Sequence, residues 1–148
     1  MQNNQIEIVT LEEKHFVGVP VTNVFQRVEP ESIKEANQVF LVRKSEIKEI
    51  MNPHVYVCPH FANEVLFTYI YCMEVTGIEG VPKGMIGFSV PSQRYAKVRS
   101  IDQDPYALIK SFLKEKGLDN NPRSLALEVF RFGEEQHFNN ADIFVPIL

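Results

Sequence analysis

The opening segment, IEIVTLEEKHFVGVPVTNVF, is rich in β-branched and aromatic residues and predicts a strand from about Ile6 to Phe25. Its Gly18 to Pro20 interruption suits a bend or bulge. In PESIKEANQVFLVRKSEIKEIM, Ile33, Ala36, Phe40, Ile47 and Ile50 recur at helical spacing, and Ser32 with Glu35 offers a capping box. This segment reads as an amphipathic helix. HVYVCP and the longer VLFTYIYCMEV read as strands, and the short PHFANE connection turns the chain back into an antiparallel hairpin. The Gly/Pro-rich TGIEGVPKGM is a connector, followed by two short strand candidates, MIGFSVP and QRYAKVRS, separated by Pro91.

A second helix is well marked over about residues 105 to 116. Asp104 is a natural N-cap, Pro105 fits the first helical position, and Leu108, Ile109, Phe112 and Leu113 form an apolar stripe. Gly117 follows Lys114 and Lys116 as a stop signal. LDNNPRS is then a polar loop, LALEVFRF a strand, GEEQHFNNA a turn region and DIFVPI the last strand. The order strand, helix, strand, strand thus occurs twice, with helix centres roughly 70 residues apart, about half the chain. It predicts an α+β fold of duplicated β-α-β-β units, with antiparallel sheets, two helices and pseudo-twofold symmetry. The halves are about 1–78 and 79–148 of a single domain. Sequence identity between them is negligible, so the duplication rests on element order.

Length and composition narrow the function classes. A chain of 148 residues with 45% hydrophobic and 23% charged residues is ordinary globular composition, sufficient for one core. No apolar run is long enough for a membrane span, and MQNNQIEIVT lacks the regions of a signal peptide, so a cytoplasmic location and no membrane contact are expected. The net charge of −4, without a Lys/Arg cluster, argues against direct binding of nucleic acid. The two cysteines, Cys58 and Cys72, read as reduced core residues. With a hairpin turning near Ala62, Cys58 would face about residue 66, so the two should not bridge. His15, His54, His60 and His137 are scattered, and Cys58 with His60 lacks further ligands, so no metal is expected and the histidines read as ordinary polar or packed residues. No P-loop, dinucleotide fingerprint or GxSxG elbow is present, and no cofactor is expected.

Two strands carry the candidate chemistry. Alternation in LALEVFRF separates Leu125, Leu127, Val129 and Arg131 from Ala126, Glu128, Phe130 and Phe132, so Glu128 shares a face with two phenylalanines. A carboxylate there must reach solvent, find a donor or cation, or take up a proton. An apolar pocket with one acidic wall suits a lipophilic cation. The strand pattern is equally compatible with a solvent-side face on which Glu128 is simply hydrated. On the longer strand, Phe67, Tyr69, Tyr71 and Met73 share one face, and Leu66, Thr68, Ile70 and Cys72 the other. Tyrosines can stack on a planar ligand, hold a cation or donate a hydrogen bond, and they serve equally as ordinary core with hydroxyls at its rim.

The second half resembles the GyrI-like domain, the AraC-type effector-binding module of drug-responsive regulators. VPKGMIGFSVPSQRYAKVRS resembles the family's Pro-x-Gly-Met turn, strand, Pro-containing turn and Tyr-Ala pair, and DPYALIKSFLKEKGL the helix after it. LALEVFRF resembles the strand with the family's acidic residue, and DIFVPI the closing strand. The resemblance covers about 75 residues, while the first half matches by element order alone. It implies a ligand cleft between the duplicated units, in a freestanding member with no room for a DNA-binding domain. It further implies that Glu128 contacts cationic ligands, that Phe130 is an apolar wall, and that Phe144 is the aromatic before the final Pro. Tyr69 and Tyr71 are assigned by strand and face, with Phe67 beside them, and Tyr95 sits in the Tyr-Ala pair. The chain departs from the family where other members have Tyr and it has Phe130, which argues against polar recognition or proton transfer there.

The expected function is binding of amphipathic, aromatic or cationic small molecules for sensing or sequestration, with no residue assigned as catalytic. A hydrolase acting on electrophilic xenobiotics through Glu128 and Tyr69 or Tyr71 is the enzymatic alternative. A third reading is a module that regulates a protein partner, its acidic balance suited to a basic surface.

Overall fold

The computed structural model describes residues 6–24, 29–99 and 103–148. The strands are β1 (Glu7–Leu11), β2 (Lys14–Val24), β3 (Val55–Ala62), β4 (Leu66–Val75), β5 (Ile86–Val90), β6 (Gln93–Val98), β7 (Ala126–Arg131) and β8 (Asp142–Pro146). The helices are α1 (Pro30–Arg43) and α2 (Pro105–Lys116). All eight strands form one antiparallel sheet in the order β1, β6, β8, β7, β3, β4, β2, β5.

The duplication is visible in that order. Outward from the central β3–β7 pair, β4 and β2 follow on one side, β8 and β6 on the other. The units β2-α1-β3-β4 and β6-α2-β7-β8 therefore occupy equivalent places about a local twofold. The outermost strands are exchanged: β1 lies beside β6 of the second unit, and β5 beside β2 of the first. One continuous sheet joins the halves, where separate sheets were compatible with the sequence pattern.

Both helices lie on one face. Ala36 and Phe40 of α1, with Ile109 and Leu113 of α2, are buried there against Tyr71, Met73, Phe130 and Ile143. The other face buries Phe16, Val57, Ile70, Cys72, Tyr95 and Leu127 without helical cover among the described residues. The sheet curls so far that Val9 and Leu11 of β1 pack on the same cluster as Phe88 of β5, although these are the two edge strands. Curling substitutes for a covering layer. No helix among the described residues is long and apolar enough to cross a membrane.

Several local expectations are corrected. The first predicted strand is two strands, broken at Glu12 and Glu13, because β1 and β2 join opposite ends of the sheet; its expected end, Phe25, lies outside the described residues, as does Ser100. β2 runs unbroken through Gly18, whose role is close approach to β4: a Cβ there would run into the Tyr71 carbonyl oxygen and Cys72 Cβ. Pro20 falls beyond the last β2–β5 pair, Gly18 with Ile86, where a missing N–H is tolerated.

The first helix stops at Arg43 and gives way to a 3-10 turn at Lys44–Glu46, after which Ile47 is extended yet buried. Ile50 bridges to Val75. These apolar positions mimic helical spacing while packing from irregular chain. Ser32 makes no capping box; its Oγ lies 2.9 Å from the Glu29 carbonyl oxygen and 3.0 Å from Asn23 Oδ1, tying the helix start to the end of β2.

The hairpin turns at Asn63, whose Oδ1 accepts from the amides of Val65 and Leu66 at 2.7 and 2.8 Å. The register therefore shifts, and Cys72 pairs with Val57. Cys58 and Cys72 are free thiols, both buried, in the clusters on opposite faces of the sheet. Gly18→Ala is expected to destabilise the fold by about 3 kcal/mol, since backbone must move to admit the methyl group. Urea unfolding checks this, and an unchanged midpoint would show slack between β2 and β4.

Candidate functional site

Strand parity assembles the site. On the helix-side face, β3 places Tyr56, Cys58 and His60, β7 places Glu128 and Phe130, and β4 places Phe67, Tyr69 and Tyr71. Cys58 and Glu128 pair directly near the middle of the β3–β7 ladder, so the acidic residue sits where the two halves meet. α2 supplies Tyr106. Asp104 Oδ1 accepts from the Tyr106 amide at 2.9 Å, Pro105 fills the first turn, and Gly117 closes the helix at φ 70°. This capping sets where the helix that carries Tyr106 begins.

The Glu128 side chain is 15% exposed and both its oxygens are engaged. Tyr69 donates its hydroxyl to Oε1 at 2.5 Å, and Tyr106 donates to Oε2. His60 Nε2 lies 3.1 Å from the Tyr106 oxygen and 3.9 Å from Glu128 Oε2. His60 Nδ1 lies 3.1 Å from the Cys58 carbonyl, which can only accept, so that nitrogen carries a proton. Gln136 Nε2 donates to the Tyr69 oxygen at 3.1 Å and reaches Tyr71 at 3.4 Å. Glu128 is thus held by neutral hydroxyls, with His60 as the nearest group able to carry positive charge.

Rings surround this network. Tyr69 meets Tyr71 edge-on at 5.3 Å and Phe67 at 6.0 Å, while His60 stands 5.6 Å from Tyr69. On the α1 side, Tyr56 stacks on Phe130 at 5.3 Å and contacts Phe132 at 4.8 Å. Burial, with Glu128 charge adding to it, holds the Tyr69 and Tyr106 hydroxyls far above the ordinary tyrosine range. Burial also pushes Tyr71 up to about 12 and raises Tyr56 and Tyr95. Burial likewise pushes up the thiols of Cys58 and Cys72. The hydroxyls are therefore fixed donors. Among the described residues no group of three or more His, Cys, Asp or Glu is placed to hold a metal.

Of the residues proposed from sequence, Glu128, Tyr69, Tyr71, Phe67 and Phe130 come together on the helix side, Phe130 on its α1 flank. Tyr95 and Phe144 do not join them. Phe144 pairs with Leu127, one residue out of phase with Glu128, and Tyr95 packs edge-on against it at 6.0 Å on the opposite face. Both pack in the cluster on that face, away from Glu128. Sequence reasoning missed Tyr106, His60 and Gln136. The parity of Tyr56, Cys58 and His60 was available for His60, and the strong cap before Tyr106 signalled a fixed ring, but neither pattern says which wall the residue meets.

A cavity of about 560 Å³ opens beside this centre, between α2, the chain following it and the ends of β3, β7 and β8. Tyr106 and His60 line it; Glu128, Tyr69 and Tyr71 are not among its lining residues.

This architecture is the GyrI-like effector-binding fold. The chain belongs to the Cass2 family of integron-associated effector binding proteins, whose model matches residues 7–147. The fold is similar to an integron cassette protein from the mobile metagenome of Vibrio cholerae, at 12% identity and TM-score 0.63 over 99% of this chain and all of that one. It is similar to the C-terminal domain of EcmrR, at 13% identity and TM-score 0.71 over 99% of both chains. It is also similar to SAV2435, solved bound to tetraphenylphosphonium, at 10% identity and TM-score 0.62 over 97% of this chain and 94% of that one. No curated protein matches.

The raised hydroxyls give a test of this geometry. All five tyrosines should resist ionisation near pH 10 in an absorbance titration at 295 nm, titrating only as the fold opens. Their folded values lie above the unfolded value of 10.0, so the contribution to stability is complete below pH 10 and is lost as pH rises toward and past about 12. A simple transition at pH 10 in folded protein would contradict the buried network.

Proposed function

We propose that this chain binds amphipathic, aromatic or cationic small molecules at the junction of its two halves, as a ligand sensor or sequestering protein. The observation that carries this reading is Glu128: a largely buried carboxylate at the β3–β7 junction, walled by tyrosine and phenylalanine rings and held by hydroxyls that stay neutral. A carboxylate in apolar surroundings attracts a poorly hydrated cation more strongly than one in water does. The rings supply stacking and cation–π surface for a planar or bulky body. Membership of an effector-binding family supports the reading, as does a relative of the same fold bound to a lipophilic cation.

Tetraphenylphosphonium is the direct probe. Calorimetry should give saturable binding, and Glu128→Gln should weaken it at least tenfold, equivalent to about 1.4 kcal/mol. Equal binding by parent and variant would remove the electrostatic role. The Tyr69–Glu128 hydrogen bond at 2.5 Å favours a second reading, acid–base hydrolysis of electrophilic compounds. Glu128 would serve as the base toward water, with Tyr69 orienting its carboxylate through the hydroxyl hydrogen bond. Product formation from such a compound, abolished in Glu128→Gln and reduced in Tyr69→Phe, would favour that reading over binding alone.

A further inference from the structure

The two halves differ at matched positions beside their central pair. Two residues to either side of Cys58 and Glu128, the ladder pairs Tyr56 with Phe130 toward α1, and His60 with Ala126 toward α2. On the α1 side the rings fill the wedge between helix and sheet, with Phe40 packed 5.9 Å from Tyr56, 6.1 Å from Tyr71 and 6.2 Å from Phe132. On the α2 side alanine stands where the other wedge has an aromatic ring. The 560 Å³ cavity occupies that space, within the range of small-molecule sites.

Its walls are built. Leu118 N donates to the Leu113 carbonyl at 2.8 Å, Asn121 N to Pro146 at 2.8 Å, and Leu148 N to Asp119 at 2.9 Å, so the chain after α2 is held against the end of β8. Ile109, Leu113, Leu118 and Val145 give an apolar lining. At the rim stand Lys110 and Lys114, one helical turn apart on α2. Neither is ion-paired among the described residues, and a single carboxylate, Asp119, shares the lining. In a chain of net charge −4, this groove presents an apolar interior beneath a cationic edge.

We propose that the groove under α2 is a second binding site, selective for amphipathic anions: a hydrocarbon or aromatic body in the Ala126 wedge, with a carboxylate or sulfonate at Lys110 and Lys114. Its charge preference is opposite to that proposed for Glu128, and Tyr106 and His60 form the wall between the two. The proposal does not depend on a ligand at Glu128.

The test uses decanoate, with decyltrimethylammonium as its charge-reversed control, followed by ¹³C-methyl NMR of the full chain. Decanoate should shift the methyls of Ile109, Leu113, Leu118 and Val145 saturably, and decyltrimethylammonium should not. Lys110→Glu with Lys114→Glu should weaken decanoate at least tenfold while leaving tetraphenylphosphonium binding within twofold. Ala126→Phe should abolish decanoate binding. The lysine pair is on exposed helix surface, so that variant keeps the test decisive if Ala126→Phe fails to fold. Absent or non-saturable methyl shifts, equal shifts with the cationic control, or full decanoate affinity in the lysine variant would each overturn the proposal. A Glu128→Gln result with tetraphenylphosphonium bears on the other site alone.

Discussion

The β3–β7 ladder is the constraint on which the rest of the molecule depends. It is the only direct strand pairing between the two β-α-β-β units among the described residues, and it places Cys58 opposite Glu128 near its middle. Because side chains alternate with a period of two, a slip of one residue would turn Leu127 toward the helices and Glu128 toward Ile70 and Phe16. Register is therefore enforced from both faces at once. The exchanged edge strands reinforce it, since β1 and β5 each lock one unit to the other.

That register obliges the protein to accommodate a carboxylate in its interior. Two tyrosine hydroxyls satisfy the oxygens, and each would leave the carboxylate short of a partner if removed, a loss of about 1–3 kcal/mol. The same bonds set what a ligand must overcome. On the proposed reading, a cation approaching Glu128 would gain Coulomb attraction in apolar surroundings but compete with hydroxyls already in place, so affinity would be the difference between two well-made arrangements. Tyr69 is backed by Gln136 and Tyr106 by His60, but Tyr69 sits on a central strand whereas Tyr106 belongs to a helix and borders the open groove. The two donors are therefore held by unequal scaffolding.

What the sequence disclosed follows from which forces are local. α2 was legible to the residue because its cap, first-turn proline and closing glycine are local chemistry. The faces of β4 and β7 were legible because alternation is a property of a single strand, whereas the meeting of Glu128 with Tyr69 and Tyr71 on one side depends on the β3–β4 and β3–β7 registers. The split between β1 and β2 was not, because nothing within the segment records that its two parts join opposite ends of the sheet. Nor was the far-side placement of Tyr95 and Phe144, which depends on the β6–β8 and β7–β8 registers. Ile47 and Ile50 misled because burial in irregular chain can imitate helical periodicity. Tyr106 and His60 were missed for a related reason: they meet Glu128 from a helix and a strand that lie far from it in sequence, and only packing unites them.

Duplication explains both the position of the acidic centre and the difference between its flanks. A local twofold brings equivalent strands together at the junction, but it also creates two equivalent wedges between helix and sheet. If both were filled by aromatic rings, the helices would be pinned equally and Glu128 would be enclosed on both sides. Here the Tyr56–Phe130 pair makes the α1 wedge solid, while the His60–Ala126 pair leaves space under α2. A cavity costs packing energy in proportion to its volume unless it is open to solvent or occupied. The α2 groove is bordered by lysines and amides at its rim, which keeps its mouth hydrated while its floor stays apolar. One alanine in place of an aromatic ring thus leaves space under α2 where the matched wedge under α1 is filled.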